Sequence, residues 1–214
     1  LVMEWLEGRD LASRLARGPL AEHDALRAAL HVAQALDAAH RAGITHRDVK
    51  PSNVFLIGDR LEDLRLIDFG IARSARPSHP GTRLTASGAV LGSPHYMAPE
   101  QLRGEHDART DVYALGATLF ECLAGRPPFG GAHPAAILLA VLAEPVPSVS
   151  ALRSEVSPAL DALLGRMLAK DMRDRPRDMA AVITELSGLF SRPEQHARVL
   201  GAVTRAERSR STTR

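Results

Sequence analysis

The chain has 214 residues, 45% of them hydrophobic and 24% charged, a globular composition that excludes a disordered or fibrous polypeptide. Its 27 basic and 25 acidic residues leave a net charge of +2, too small to argue for a nucleic-acid partner, and none is expected. The single cysteine, Cys122, excludes an intramolecular disulfide framework and fits a reducing compartment.

In chain order, "LVMEW" at residues 1–5 reads as a buried strand, and a short helix through residues 11–17 stops at Gly18-Pro19. Residues 21–42 are predicted as a long helix, with Leu26, Leu30, Ala33 and Leu36 at helical spacing and Gly43 at the position of a left-handed cap. The polar stretch "HRDVKPSN", residues 46–53, leads into a predicted hairpin: strand "VFLI", turn "GDRLED", strand "LRLI". Residues 71–97 form a connection rich in Ser, Thr, Gly and Pro, of a length usually tied to function or disorder.

Beyond it the pattern is helical. Residues 110–124 are apolar nearly all round, as in a buried central helix, and Gly125 closes it. Pro134 opens a helix over "PAAILLAVLA", whose apolar run is far too short to span a bilayer. Ser157 and Pro158 are the N-cap and first residue of the next helix, Lys170 falls in a late helix, and a last helix follows Arg175. From Ser191 the pattern fades into a basic tail expected to be disordered. The expected fold is mainly α with a small β-hairpin element: one domain over residues 1–190 and a tail over 191–214.

The polar stretch before the hairpin carries chemistry. An aspartate in a loop, Asp48, can take a proton from a hydroxyl. Lys50 can neutralise charge on a phosphoryl group, and Asn53 offers a neutral oxygen to Mg²⁺, which prefers hard oxygen ligands. Asp68 opens "DFG" at the end of the second strand, and the hairpin brings it toward Asn53. Phosphoryl transfer consists mostly of positioning and charge neutralisation, so these four side chains suit it.

"HRDVKPSN", "DFG" and "APE" (Ala98-Pro99-Glu100), in this order and spacing, resemble the catalytic loop, metal motif and activation-segment end of the C-terminal lobe of eukaryotic-like bacterial Ser/Thr protein kinases. The resemblance extends over residues 1 to about 190. It implies ATP and Mg²⁺ as cofactors, with Mn²⁺ the alternative ion, and proteins with Ser or Thr acceptors as substrates. It makes Asp48 the base, Lys50 the γ-phosphate contact, and Asn53 and Asp68 the metal ligands. Arg47 would meet a phosphate on the activation segment, where Thr85 and Ser87 are the expected phosphosites. Ser93 would contact Asp48 and Lys50, at a position where Thr is commoner. Asp111 would hold the catalytic-loop backbone, and Glu100 would pair with Arg175. Met3 falls at the gatekeeper position; Glu4 and Leu6 would bind adenine through their backbones, with Asp10 at the ribose and Phe55 under the ring. Lysine two residues after the base is the Ser/Thr pattern. His46 reads as a packed structural histidine and Cys122 as core.

The family's upper lobe supplies a Gly-rich loop and a strand lysine, and neither occurs in this sequence, whose two lysines are Lys50 and Lys170. The expectation is therefore a kinase segment whose upper lobe lies upstream in the same polypeptide, inactive by itself. A second reading is a non-catalytic scaffold or phospho-acceptor, and a third, for which nothing in the sequence argues, is a split kinase completed by a second chain. A cytoplasmic location is expected, with any membrane anchor outside these residues. Apolar surface at Met3, Phe55 and Ile67 is expected to be exposed and to promote association.

Overall fold

A computed structural model describes residues 5–69 and 94–190. Three short strands form an antiparallel sheet in the order β1 (Gly8–Asp10), β2 (Val54–Ile57), β3 (Leu64–Leu66). The hairpin lies where the two apolar runs place it, with Val54 opposite Leu66 and Leu56 opposite Leu64. Its turn passes through Gly58 and Asp59, both with φ near 60°, the left-handed pair that matches strand twist.

The strand expected at residues 1–5 is corrected in part. Residues 1–4 lie outside the described set, residues 5–7 form no strand, and Trp5 is 87% exposed. The strand that pairs with β2 is Gly8–Asp10, with Gly8 opposite Ile57 and Asp10 opposite Phe55. Nothing apolar marks "GRD" as a strand. Backbone fit makes it one: Gly8 has φ 146°, and a Cβ there would lie 1.9 Å from the Leu56 carbonyl oxygen.

Helix α1 (Leu11–Leu15) starts at Asp10, whose carboxylate accepts from the Ser13 N–H at 2.6 Å. Helix α2 (Glu22–Arg41) buries Leu26, Val32, Ala33 and Leu36, while Leu30 is only partly covered. Its ends suit the helix dipole, with Glu22 and Asp24 in the first turn and His40 and Arg41 in the last. Helix α3 (Ala108–Ala124) is buried around most of its circumference, including Thr110, Asp111 and Thr118. Asp107 caps it by accepting from the Arg109 N–H at 2.6 Å, and Gly125 ends it at φ 72°.

Helices α4 (Pro134–Ala143), α5 (Pro158–Met167) and α6 (Met179–Phe190) complete the set. Helices α2 and α6 both pack on α3, and α6 lies along α2. Gly116 lets α5 approach α3 closely, since a Cβ there would meet the Met167 Cβ at 2.9 Å. Glu22 ties the start of α2 to the start of α5: its carboxylate accepts from the Ser157 N–H at 2.7 Å and the Ser157 hydroxyl at 2.8 Å.

Two further expectations are adjusted. Lys170 lies in a turn after α5, not in a helix; its ammonium donates to the Val141 carbonyl at 2.6 Å and sits 3.6 Å above the Phe129 ring. Burial pushes its pKa down to about 8. Phe55 and Ile67 are half-buried, and among the described residues the large exposed apolar side chains are Trp5, Ile44, Leu139, Leu142 and Leu152. No helix among the described residues is long and apolar enough to cross a membrane.

Candidate active site

The loop after α2 is built on one buried carboxylate. Asp111, fully buried near the start of α3, accepts from the His46 N–H and the Arg47 N–H, each at 2.8 Å. Its Oδ2 is also 2.7 Å from His40 Nε2, at the end of α2. These bonds hold Arg47 at φ 65°, a left-handed conformation that costs a non-glycine residue on the order of 1–3 kcal/mol. The Arg47 guanidinium donates to the Thr45 hydroxyl at 2.9 Å. Sequence reasoning anticipated Asp111 and missed His40. Its spacing on α2 does not separate it from His23 and His31, and its partner lies 71 residues away.

His46 is buried and joins the loop to the hairpin. The Asp48 N–H donates to its Nδ1 at 3.3 Å, which leaves the proton on Nε2, and Nε2 donates to the Ile67 carbonyl at 3.0 Å. Burial pushes the imidazole pKa below its ordinary value. The Phe69 ring packs against it, with centroids 4.6 Å apart.

Asp48, Lys50 and Asn53 converge. Lys50 Nζ donates to Asp48 Oδ2 at 2.8 Å. Asn53, held by the 3-10 turn Pro51–Asn53, donates its amide to the Asp48 backbone carbonyl at 2.8 Å and to Asp48 Oδ2 at 3.3 Å. This pattern identifies the nitrogen end of the amide and leaves the oxygen end to face a cation. The Ile67 N–H donates to the Asn53 carbonyl at 2.9 Å, extending the hairpin ladder by one pair, so Asp68 follows directly after the residue bonded to Asn53. Asp68 is exposed and left-handed, with φ 58°, a conformation aspartate tolerates.

Those two side chains supply one carboxylate and one amide oxygen, hard donors of the kind Mg²⁺ takes. Among the described residues no three His, Cys, Asp or Glu side chains form a metal-holding group. Two such donors fill only part of the coordination sphere that a Mg²⁺ ion takes.

Glu100 and Arg175 form a buried two-pronged ion pair, Nη1 to Oε1 at 2.7 Å and Nη2 to Oε2 at 2.8 Å. The Thr110 hydroxyl also donates to Glu100, at 3.0 Å, and Arg175 donates to the carbonyls of Ala169 and Arg109. Next to Glu100, the Gln101 amide nitrogen donates to the Arg47 carbonyl at 3.2 Å, while its oxygen accepts from the Ala98 N–H at 2.8 Å. The Tyr96 hydroxyl donates to Glu121, whose pKa burial raises. Neither Gln101 nor the Tyr96–Glu121 pair is recognisable from sequence spacing.

Of the expected nucleotide contacts, Asp10 and Phe55 are paired across β1 and β2, Leu6 is half-buried, and the Asp10 carboxylate also caps α1. Met3, Glu4, Gly70, Thr85, Ser87, Ser93 and the tail lie outside the described residues.

Comparison with known proteins gives one consistent result. The family profile described as protein kinase domain matches residues 1–186. The serine/threonine-protein kinase PknB of Mycolicibacterium smegmatis is 39% identical over 191 residues, covering 87% of this chain and 29% of that protein. The serine/threonine-protein kinase PknL of Mycobacterium tuberculosis is 38% identical, covering 88% of this chain and 46% of that protein. The chain thus spans less than half the length of these relatives. Among solved structures, the Mycobacterium tuberculosis PknI kinase domain superposes with a TM-score of 0.64 at 30% identity, covering 87% of this chain and 63% of that one.

Proposed function

The chain belongs to the protein kinase domain family, and from that premise we propose that it is the lower lobe of a serine/threonine kinase domain that transfers the γ-phosphate of ATP to Ser or Thr hydroxyls of proteins. One observation carries this reading: Asp48, Lys50 and Asn53 converge on a backbone clamped by Asp111, directly beside Asp68.

In this reading Asp48 orients the acceptor hydroxyl and takes its proton. Lys50 and Asn53 both donate to Asp48 Oδ2, which fixes the plane of the carboxylate before an acceptor arrives. Lys50 lies within reach of a phosphoryl group bound over Asp48 and offsets its charge. Mg²⁺, held by the Asn53 oxygen and Asp68, would neutralise phosphate charge when bound. Asp10 and Phe55 would line the nucleoside end, with Glu4 and Leu6 presenting backbone groups. Arg47 would receive a phosphate from Thr85 or Ser87, and Ser93 would meet Asp48 and Lys50. Asp111 and the Glu100–Arg175 pair serve as supports.

The Gly-rich loop and strand lysine are assigned to an upper lobe earlier in the same polypeptide, residues 1–190 to the kinase domain, and 191–214 to a basic tail. With ATP as donor, the reaction belongs in the cytoplasm. The test is transfer of label from γ-labelled ATP to a basic protein by the complete gene product. Asp48→Asn should lower that turnover by about two to four orders of magnitude while nucleotide still binds. A complete product that binds nucleotide but transfers nothing would leave the scaffold reading in its place.

A further inference from the structure

We propose that Gln101 is a positioning residue for Asp48, acting through the peptide bond between Arg47 and Asp48; the catalytic consequence rests on the kinase reading above, whereas the contact itself does not.

That peptide carries Asp48, and side chains hold it at both ends. Its carbonyl oxygen accepts from Gln101 Nε2 at 3.2 Å, and its N–H donates to His46 Nδ1 at 3.3 Å. Both bonds are at the long end of the hydrogen-bond range, so neither fixes the plane alone. The peptide before it is held by Asp111 through the Arg47 N–H at 2.8 Å. Arg47 at φ 65° sits between the two, in a conformation that a long side chain adopts only under external constraint. Rotation of the Arg47–Asp48 plane would carry the Asp48 Cα, and with it the carboxylate that Lys50 and Asn53 orient.

Gln101 also has a fixed footing. Its oxygen accepts from the Ala98 N–H at 2.8 Å, and its neighbour Glu100 is pinned by Arg175. A capping role at the turn Pro99–Arg103 needs only that oxygen. The nitrogen is the part that reaches the catalytic loop, 54 residues away in sequence. Glutamine thus bridges the turn after residues 70–93 and the peptide of the base, and glutamate can do only half of this. The position of that turn is thereby transmitted to Asp48 through one amide group.

The two halves separate experimentally. In the 214-residue chain, amide exchange by NMR should show Gln101→Glu speeding exchange of the Asp48 N–H by about tenfold while the Ala98 N–H keeps its protection; Gln101→Ala should release both. Unchanged Asp48 exchange in Gln101→Glu would overturn the clamp. In the complete gene product both variants should lower kcat by about tenfold and leave the KM for ATP within about twofold. A normal kcat with a loosened Asp48 amide would overturn the positioning role. A complete product with no transferase activity would defeat the kinase reading, while the exchange measurement would still decide the clamp.

Discussion

Asp48 owes its geometry to partners drawn from very different distances along the chain. Lys50 and Asn53 lie within five residues of it, which is why "HRDVKPSN" reads as a chemical unit in the sequence alone. The residues that shape the backbone around it, His40, Gln101 and Asp111, come from the end of α2, the turn after Ala98 and the start of α3. Asp111 was legible only through its family position. His40 and Gln101 were not, because a hydrogen bond spanning 71 or 54 residues leaves no trace in local spacing.

His46 gives this scale a pH prediction. Burial lowers its folded-state pKa, so above its ordinary value of 6.5 it is neutral whether the chain is folded or not and adds no slope. As pH falls below 6.5 the unfolded chain takes up the proton first, and stability drops by up to about 1.4 kcal/mol per pH unit until the folded pKa is passed. Urea unfolding midpoints across this acidic range should fall more steeply for the native chain than for His46→Gln. Parallel curves would show that the imidazole does not couple to folding.

At the scale of elements, the hairpin and the long helices were readable from periodicity and capping, because each carries its own apolar face. Strand β1 was not, since no apolar residue marks it; backbone pairing and the Arg9 guanidinium donating to Asp59 in the hairpin turn hold it in place. Gly8→Ala should therefore detach it, at a cost above about 1 kcal/mol, seen as lost amide protection at Gly58, whose N–H donates to the Glu7 carbonyl at 2.8 Å. Retained protection there would mean that the strand shifts to accommodate the methyl group.

The Glu100–Arg175 pair binds the turn after Ala98 to the segment before α6. Removing one partner leaves a buried charge alone, so Glu100→Ala should cost about 3–5 kcal/mol by denaturant unfolding. The double variant with Arg175→Met should lose less than the sum of the two singles, because neither charge then remains unpaired. Strict additivity would contradict an energetic coupling between them.

For the molecule as a whole, the sequence anticipates uncovered apolar surface around residues 3–6, where Met3 lies outside the described residues and Trp5 stands exposed. Phe55 and Ile67 are half-buried, and Trp5 and Leu139 stand out at 87% and 65% exposure. Alternation and helical periodicity indicate which face of an element is apolar, and only tertiary packing decides whether that face is covered. The 214-residue chain should therefore elute from a sizing column ahead of the monomer position as its concentration rises. Elution as a monomer at every concentration would rule out association through this surface.

The packing of α2 against α6 also governs how the chain is made. Helix α2 leaves the ribosome early, yet two of its partners follow much later: Ser157, which Glu22 holds, and Phe190, whose ring stacks on His23 at 4.5 Å. At ordinary synthesis rates of about 5–20 residues per second, the wait between the two helices is on the order of ten seconds or more. For that time the face of α2 that packs on α6 lacks its partner, and a nascent chain stalled before residue 179 never acquires it. Translation that halts ahead of α6 thus yields a product with a sticky helix face and no means of covering it, a natural substrate for chaperones and proteases.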